Sequence, residues 1–363
     1  MSQPTINLGD VEYPIFFRDG LLRWLFKGLE ETVGDSYYYI IVDDFIYERY
    51  ALHETQSGAS TFYIVKGGKN NKTFFSAMKI FEDLDRKNIP RDVTIVAIGG
   101  GVVGDLGAFV ASLWYRGVDL IHIPTTLLAA VDSSVGGKTA INFRSTVNAV
   151  GTYHHPKALI IDTALLLDLP AREISSGFGE IIKYAMLSGG DILQILRRCR
   201  GADDTPIRDL ILLSLKEKER YVRGDVKESA NRLFLNFGHT IGHAIEFSTV
   251  YEGRESLRHG EGVGLGMLAI FEVCREMGYL DINSVTELRG LLTKYGLPVQ
   301  FASASLNIER NALVDKITQM AFKDKKRTRE YLRLILLNEI GNPFIHNTDD
   351  ISLIKLGVES VIG

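Results

Sequence analysis

The sequence predicts an α/β domain built on a mostly parallel sheet, followed by a mainly helical domain. Short apolar runs alternate with helical patterns in the first half of the chain, and helical periodicity dominates after Pro170. The chain has 363 residues. At about 150 residues per domain, this length favours two domains. We therefore expect one domain over residues 1–170 and a second over residues 171–363.

Five segments of the first half are typical of buried strands. Each is short and rich in β-branched and aromatic residues, and they cover 38–43, 61–66, 92–98, 119–123 and 158–162. A helical pattern at 73–85 lies between two of them, as a parallel sheet with crossover helices requires.

The second half of the chain has a mainly helical pattern. Helical periodicity covers 173–200, 207–224, 235–249, 259–278 and 284–295. Only the segment 331–337, YLRLILL, has the character of a strand. We therefore predict a helical domain with little sheet.

Composition excludes several classes of function. The 41 basic and 45 acidic residues give a net charge of −4 and are scattered, so we expect no nucleic-acid partner. Two cysteines, Cys199 and Cys274, provide no disulfide framework and suit a reducing compartment. The N-terminus lacks the pattern of a signal peptide, and no apolar run reaches the roughly 20 residues that span a membrane. We expect a cytoplasmic protein without a membrane partner.

A glycine-rich turn follows the strand at 92–98. Gly99, Gly101 and Gly104 have the spacing that lets backbone amides and a helix N-terminus approach a pyrophosphate. The alternative is a tight strand-to-helix turn without a ligand, because no acidic residue closes the next strand. The GGKT segment at 136–139 ends like a P-loop, but Asp132 occupies the place of the first glycine, so we reject that interpretation.

Histidines and a buried acid indicate a metal site in the second half. His239 and His243 are four residues apart on one face of a predicted helix, a spacing found in metal sites and equally among structural histidines. The HGE segment at 259–261 adds a histidine at a helix start. Glu180 and Lys183 share a face of an apolar helix, where charges are costly unless they are paired or bound to a ligand.

Six segments, taken in order, resemble the 3-dehydroquinate synthase family and its sugar phosphate cyclase relatives. They read GGGVVGDLGAFVASLWYRG, IPTTLLAAVDSSVGGKTAIN, GEIIK, NFGHTIGHAIE, HGE and KDKK, and the resemblance covers about residues 90–330. It implies a Rossmann-like NAD-binding α/β domain, a helical metal-binding domain and a homodimer, which together make the dehydroquinate synthase-like fold.

The resemblance also implies a role for individual residues. The ligands of Zn²⁺ or Co²⁺ would be Glu180, His239 and His259. The NAD-contacting residues would be Lys72, Gly100, Gly101, Asp105, Thr125, Thr126 and Leu128, together with Asp132 and Lys138. The catalytic and substrate-binding shell would comprise Asp132, Lys138, Asn148, Lys183, Lys218, Glu228, Arg232, Asn236, His243 and Lys326. Within this shell, Lys218 and Arg232 would face the substrate carboxylate, and Arg116 would reach the site of the neighbouring subunit.

Three positions depart from the pattern of the family near the cofactor. Val147 replaces a lysine, Lys69 replaces an acid, and Asp168 stands where threonine is usual. The implied substrate is an acidic sugar phosphate, 3-deoxy-D-arabino-heptulosonate 7-phosphate. It would be converted to 3-dehydroquinate and phosphate by transient oxidation with NAD, phosphate elimination, re-reduction and an intramolecular aldol step. The alternatives are an aminodehydroquinate, inosose or valiolone type of cyclase, a metal-dependent polyol dehydrogenase, and a non-catalytic protein that retains the fold.

Overall fold

A computed structural model of the chain describes residues 3–55, 60–144, 146–250, 256–323 and 331–363. The chain forms two compact units, one of residues 1–169 and 218–226, the other of residues 170–217 and 227–363. The predicted division did not place 218–226 with the first unit. This segment belongs there because Glu219 accepts a hydrogen bond from the Asn7 amide at 3.1 Å and the Gly224 amide donates to the Leu8 carbonyl at 3.3 Å.

The first unit contains one large sheet and a small hairpin. In chain order its strands are β1 (Thr5–Asn7), β2 (Glu12–Phe17), β3 (Tyr38–Asp43), β4 (Ser60–Val65), β5 (Thr94–Gly99), β6 (Asp119–Pro124), β7 (Ile141–Phe143), β8 (Thr146–Val150) and β9 (Ala158–Ile161). The sheet has the order β1-β2-β9-β6-β5-β3-β4, and only the β1–β2 pair is antiparallel. β7 and β8 form the hairpin. The five predicted strands are present, whereas β1, β2 and the hairpin were not predicted.

Helices cover the faces of this sheet. They are α1 (Leu25–Val33), α2 (Asp44–Arg49), α3 (Phe74–Arg86), α4 (Gly101–Leu113) and α5 (Thr163–Leu167). Alternate residues of β3 enter opposite cores: Tyr39 joins the cluster that includes α3 and α4, and Ile40 joins the one that includes α1. Because successive strand residues point to opposite faces, burial of both faces requires continuous apolar runs. This is why the inner strands were recognisable from the sequence.

The second unit is mainly helical, as predicted. Its helices are α6 (Ala171–Ser188), α7 (Asp191–Arg198), α8 (Ile207–Val222), α9 (His239–Ser248), α10 (His259–Glu276), α11 (Ile282–Lys294), α12 (Arg310–Lys323) and α13 (Ile351–Val361), and the end of α8 belongs to the first unit. β10 (Leu332–Glu339) pairs with β11 (Asn342–Thr348) in an antiparallel hairpin. Within the described ranges, no helix is both long and apolar enough to cross a membrane.

Three predictions for this unit were wrong in detail. The helix predicted at 173–200 ends at Ser188, because Gly189 adopts a left-handed φ of 62° and starts a new direction. The helix predicted at 235–249 starts only at His239, after a 3-10 turn at Asn231–Asn236. β11 was missed because the sequence NPFIHNT carries little apolar signal, and its pairing with β10 defines it as a strand.

Candidate active site

The glycine-rich turn joins β5 to the N-terminus of α4. A Cβ atom at Gly99 would lie 2.6 Å from the Cβ of Val103, so the turn itself excludes a side chain there. At Gly100 a Cβ would meet Thr126 at 3.0 Å, and at Gly101 it would come no closer than 3.4 Å to Ser133. Part of the motif therefore serves packing. Gly100 and Gly101, at the start of α4, leave backbone N–H groups where a helix dipole favours an anion.

The segment after β6 carries several of the predicted residues. The Thr125 amide donates to the Gly99 carbonyl at 3.0 Å, which joins the carboxyl ends of β5 and β6. Thr126 Oγ1 accepts a hydrogen bond from the Ala129 amide at 3.2 Å. Leu128 then leads into a π-helical turn, Ala129–Ser133, which contains Asp132. This turn was not predicted, and π-helical turns are frequent at functional sites.

Opposite charges alternate at the carboxyl end of the sheet. Lys72, which is buried, donates to the Asp105 carboxylate and also to Asn148 Oδ1 at 2.6 Å. Lys218 donates to the Asp132 carbonyl at 2.6 Å and to its carboxylate at 2.9 Å. Burial raises the pKa of Asp105, and the nearby Lys72 ammonium opposes the rise. These five predicted residues therefore form a polar region within the first unit.

An acidic residue that the sequence analysis missed lies beside the glycine turn. Asp43 ends β3, and β3 pairs directly with β5. In dinucleotide-binding sheets an acid on the neighbouring strand hydrogen-bonds the ribose. The acid was expected on the strand that follows the glycine turn in the sequence, whereas the neighbouring strand β3 precedes the turn. Asp44 adds a second carboxylate, whose Oδ1 accepts a hydrogen bond from the Gly67 amide at 3.0 Å.

Lys138 and Arg116 are the remaining predicted residues of this unit. Lys138 is exposed, and its backbone forms an isolated β-bridge with Tyr153. The next element in the chain is the strand β7, whereas a P-loop would be followed by a helix, so the structure agrees with the rejection of a P-loop. Arg116 has a left-handed φ of 71° and precedes the amino end of β6. It is exposed and lines a groove of about 440 Å³ with Arg91 and His154. The strand of β6, about 20 Å long at ~3.3 Å per residue, separates Arg116 from the glycine turn.

The three departures from the family pattern have different surroundings. Asp168 lies at the surface, where its carboxylate accepts a hydrogen bond from the Tyr50 hydroxyl at 3.0 Å and pairs with Arg49 at 3.2 Å; these contacts lower its pKa. Val147 is an exposed residue of β8. Lys69 belongs to a 3-10 turn, and its side chain lies outside the described part of the structure.

Close packing of glycines brings the predicted metal ligands of the second unit together. A Cβ atom at Gly179 of α6 would lie 2.5 Å from the Gly260 carbonyl oxygen of α10. One at Gly242 of α9 would lie 2.6 Å from the Gly262 carbonyl oxygen, also in α10. The three helices approach at these points because no side chains intervene. Each of these glycines is within three residues of a predicted ligand.

The predicted ligands Glu180, His239 and His259 converge. Glu180 Oε1 lies 3.4 Å from His239 Nε2 and 3.4 Å from His259 Nε2. Glu180 is fully buried and its other oxygen pairs with Lys183, which is also buried. His239 Nδ1 lies 3.0 Å from the Phe237 carbonyl oxygen, which holds the ring with Nε2 toward Glu180. One carboxylate oxygen and two imidazole nitrogens at this separation suit a divalent transition metal ion.

His243 contributes a third imidazole to the same place. One ring nitrogen from each of His239, His243 and His259 lies within 4.8 Å of the corresponding nitrogens of the other two rings. Burial and then the Lys183 charge lower the pKa of His239 to about 3. Burial also opposes protonation of His259, but hydrogen bonds and charges from Glu180 and Glu246 raise its pKa to about 9. Carboxylates in contact with the imidazoles thus provide negative charge for a cation.

The other predicted residues of this unit precede α9. Arg232 is buried in the 3-10 turn Asn231–Asn236. Asn236 donates to Glu228 Oε1 at 2.6 Å, and Glu228 has a left-handed φ of 59°, a conformation that non-glycine residues adopt mainly where the surroundings impose it. Lys326 lies outside the described residues.

The first unit has a parallel sheet with a glycine turn at its carboxyl end, and the helices of the second unit bring one acid and histidines together. These features define a class of two-unit proteins suited to a dinucleotide and a divalent metal. The domain family described as 3-dehydroquinate synthase N-terminal matches residues 62–176, and 3-dehydroquinate synthase C-terminal matches residues 177–327. The 3-dehydroquinate synthase of Clostridium botulinum is 32% identical over 96% of this chain and 99% of its own length. The chain belongs to the 3-dehydroquinate synthase family.

Solved structures of related cyclases have the same fold. A 2-deoxy-scyllo-inosose synthase complexed with carbaglucose-6-phosphate, NAD⁺ and Co²⁺ superimposes with a TM-score of 0.83 and 26% identity, over 99% of each chain. The 2-epi-5-epi-valiolone synthase from Streptomyces hygroscopicus, with NAD⁺ and Zn²⁺ bound, gives a TM-score of 0.79 at 22% identity over 96% of each chain. The predicted fold class is therefore confirmed.

Proposed function

We propose that this chain is a 3-dehydroquinate synthase, a carbon–oxygen lyase that converts 3-deoxy-D-arabino-heptulosonate 7-phosphate to 3-dehydroquinate and inorganic phosphate. The observation that carries the proposal is similarity to 3-dehydroquinate synthases along nearly the whole chain. The convergence of Glu180, His239 and His259 supports it, because these residues would hold the divalent metal, Zn²⁺ or Co²⁺.

The first unit would bind NAD. Gly100 and Gly101 leave room for the pyrophosphate at the N-terminus of α4, and Asp43 is placed to accept hydrogen bonds from a ribose. Lys72, held by Asp105, adds a positive charge near the same end of the sheet. When bound there, NAD would supply reversible hydride transfer without net oxidation, and a divalent ion held by Glu180, His239 and His259 would supply polarisation of a substrate hydroxyl.

The side chains of the second unit would orient the substrate and move protons. The Lys183 ammonium, next to Glu180, places a fixed positive charge beside the metal ligands. His243 faces the two histidine ligands and can donate a hydrogen bond to the substrate phosphate or carry a proton. Glu228 and Asn236, which are hydrogen-bonded to each other, would present a carboxylate and an amide to the substrate.

The substrate carboxylate distinguishes this reaction from those of the inosose and valiolone cyclases. Arg232, which is buried, would bind it bidentately. The likeness to a 2-deoxy-scyllo-inosose synthase, at a TM-score of 0.83, makes cyclisation of a hexose phosphate without a carboxylate the second candidate. The two candidates differ in whether the substrate carries a carboxylate.

A phosphate-release assay tests the proposal. With metal and a trace of NAD⁺, the protein should release phosphate stoichiometrically from the heptulosonate phosphate without accumulating NADH, and it should not release phosphate from glucose 6-phosphate. Turnover of glucose 6-phosphate in place of the acid would identify an inosose-type cyclase. Net formation of NADH from a polyol would identify a dehydrogenase.

Arg232→Met is the variant that addresses the substrate. It should lower turnover of the acid at least about 100-fold, because loss of a charge-assisted bidentate contact costs several kcal/mol, while leaving metal content unchanged. Arg200→Met is the matched control, since the Arg200 side chain is 90% exposed and pairs with Asp204 at the surface. Equal activity of the two variants would contradict the role of Arg232.

We further propose that the active form is a cytoplasmic homodimer. Arg116 lies at the opposite end of its own sheet from the glycine turn, so a role in catalysis would require the site of a second copy. Both cysteines are free and buried, which suits a reducing compartment.

A further inference from the structure

Glu246 is a buried acid that the sequence analysis passed over, although it closes the segment NFGHTIGHAIE. It lies seven residues after His239 on α9, and two helical turns place both on the same face. Its exposure is 5%. A carboxylate at this depth is costly unless it meets hydrogen-bond donors or positive charge.

The His259 ring lies between two carboxylates. Its Nε2 is 3.4 Å from Glu180 Oε1, and its Nδ1 is 3.5 Å from Glu246 Oε2. An imidazole that binds a metal through one nitrogen carries its proton on the other, and the acceptor of that proton determines the tautomer and the ring orientation. Glu246 occupies the position of that acceptor.

Packing holds the Glu246 side chain in this position. A Cβ atom added at Gly262 would lie 3.5 Å from the Glu246 Cβ and 3.6 Å from its Oε2, so the side chain lies directly against α10, the helix that begins with His259. The contact therefore joins α9, which carries one predicted ligand, to the ligand at the start of α10.

We propose that Glu246 is a positioning residue for the metal: it accepts a hydrogen bond from His259 Nδ1–H and thereby directs Nε2 toward the ion. The inference rests on the proposed metal site and adds to it a residue that determines how tightly the ion is held. Outer carboxylate partners of this kind change metal affinity by about 10- to 100-fold.

The test compares metal binding by the full-length apoprotein and two variants. Glu246→Leu has a similar volume but cannot accept a hydrogen bond, and Glu246→Gln retains an acceptor oxygen. Competition with a chelator should show that Co²⁺ affinity falls about 10- to 100-fold in the Leu variant and by less in the Gln variant. The visible absorption bands of bound Co²⁺ should shift in the Leu variant, because the ligand field changes when the ring is no longer held.

Asp83→Asn is the control for loss of a buried carboxylate. Asp83 is as buried as Glu246, with 6% exposure, but it lies in the first unit, where it accepts a hydrogen bond from the Tyr39 hydroxyl at 2.7 Å. The Co²⁺ affinity and the absorption spectrum of the Asp83→Asn variant should match those of the unsubstituted protein. Wild-type affinity and spectrum in Glu246→Leu, or in Glu246→Ala if the Leu variant does not fold, would overturn the assignment. Failure of the unsubstituted protein to bind metal would instead refute the proposed metal site.

Discussion

His239 and His243 lie one turn apart on α9, yet their surroundings differ. His239 Nδ1 lies against the Phe237 carbonyl oxygen, and its Nε2 faces Glu180. The centre of the His243 ring lies 5.2 Å from that of His239 and 5.9 Å from that of Phe247. All three histidines are close enough to share one ion. A site with four protein ligands would be closed, and a metal that acts on a substrate hydroxyl needs an open position.

We therefore predict different outcomes for the two alanine variants. His239→Ala should lose the metal, because it removes one of the three proposed ligands. His243→Ala should keep nearly stoichiometric metal and lose about 10²- to 10⁴-fold in rate, the usual contribution of a general acid–base group. Metal analysis of the purified variants, together with phosphate-release rates, checks this. Equal metal loss in both variants would mean that both histidines are ligands.

His122 provides a prediction on the pH dependence of stability. It is buried on β6, and burial, with a smaller effect from His154, lowers its pKa from 6.5 to about 4. Below pH 6.5 the unfolded chain therefore binds a proton that the folded chain excludes until about pH 4, so stability falls as the pH decreases through this range. At ~1.4 kcal/mol per pKa unit, the free energy of unfolding decreases by roughly 3 kcal/mol between these two pH values.

The variant His122→Leu should remove this contribution. Urea unfolding between pH 4 and pH 7 should show a shallower decrease of the free energy of unfolding in the variant than in the unsubstituted protein. The difference should be greatest near pH 4, because protonation of the unfolded state is complete there. Parallel curves for the two proteins would show that His122 does not cause the slope.

At the scale of elements, the contact between α6 and α10 determines the distance between Glu180 and His259. Gly179 and Gly260 let the two helices touch through their backbones, and Ser176 Oγ accepts a hydrogen bond from the Gly260 amide at 3.1 Å. A methyl group at Gly179 would meet the Gly260 carbonyl oxygen at 2.5 Å and force the helices apart.

We predict that Gly179→Ala lowers the free energy of unfolding by about 1–3 kcal/mol, the usual cost of overpacking, and weakens metal binding. Gly290→Ala is the matched control: Gly290 is also helical, in α11, but an added Cβ there meets no atom within 4 Å. That variant should gain about 0.5–1 kcal/mol from helix propensity and keep its metal. Thermal unfolding and metal analysis of both variants check the pair. Metal retention in Gly179→Ala would show that the ligand distance does not depend on this contact.

The elements differ in how well the sequence predicts them. β3 and β5 carry continuous apolar runs because both faces are covered, and this pattern is visible without knowledge of the partners. β11 is a strand because it pairs with β10, and its own residues carry little apolar signal. The π-helical turn at Ala129–Ser133 has no period that a search for helices or strands would detect.

At the scale of the whole molecule, Arg116 makes the proposed dimer testable. If it acts in the site of the partner subunit, the variants Arg116→Ala and His259→Ala should each be inactive alone. Mixed under conditions of subunit exchange, they should recover about a quarter of wild-type activity, because half of the dimers are mixed and each of these has one complete site. Phosphate release before and after exchange is the measurement. Absence of recovery in a mixture shown to contain mixed dimers would refute a role of Arg116 in the site of the partner subunit.

The sequence by itself determined the class of fold, the order of the main elements and the glycine turn, because these depend on local periodicity and on residue type. The spacing of the histidines in NFGHTIGHAIE indicated a metal site, and the resemblance to a family implied which residues would be its ligands. Only the tertiary structure placed Asp43 beside the glycine turn, since strand order in the sheet differs from chain order. Likewise, only the packing of α9 against α10 placed Glu246 at His259, because a contact between residues far apart in the sequence leaves no periodic signal in either segment.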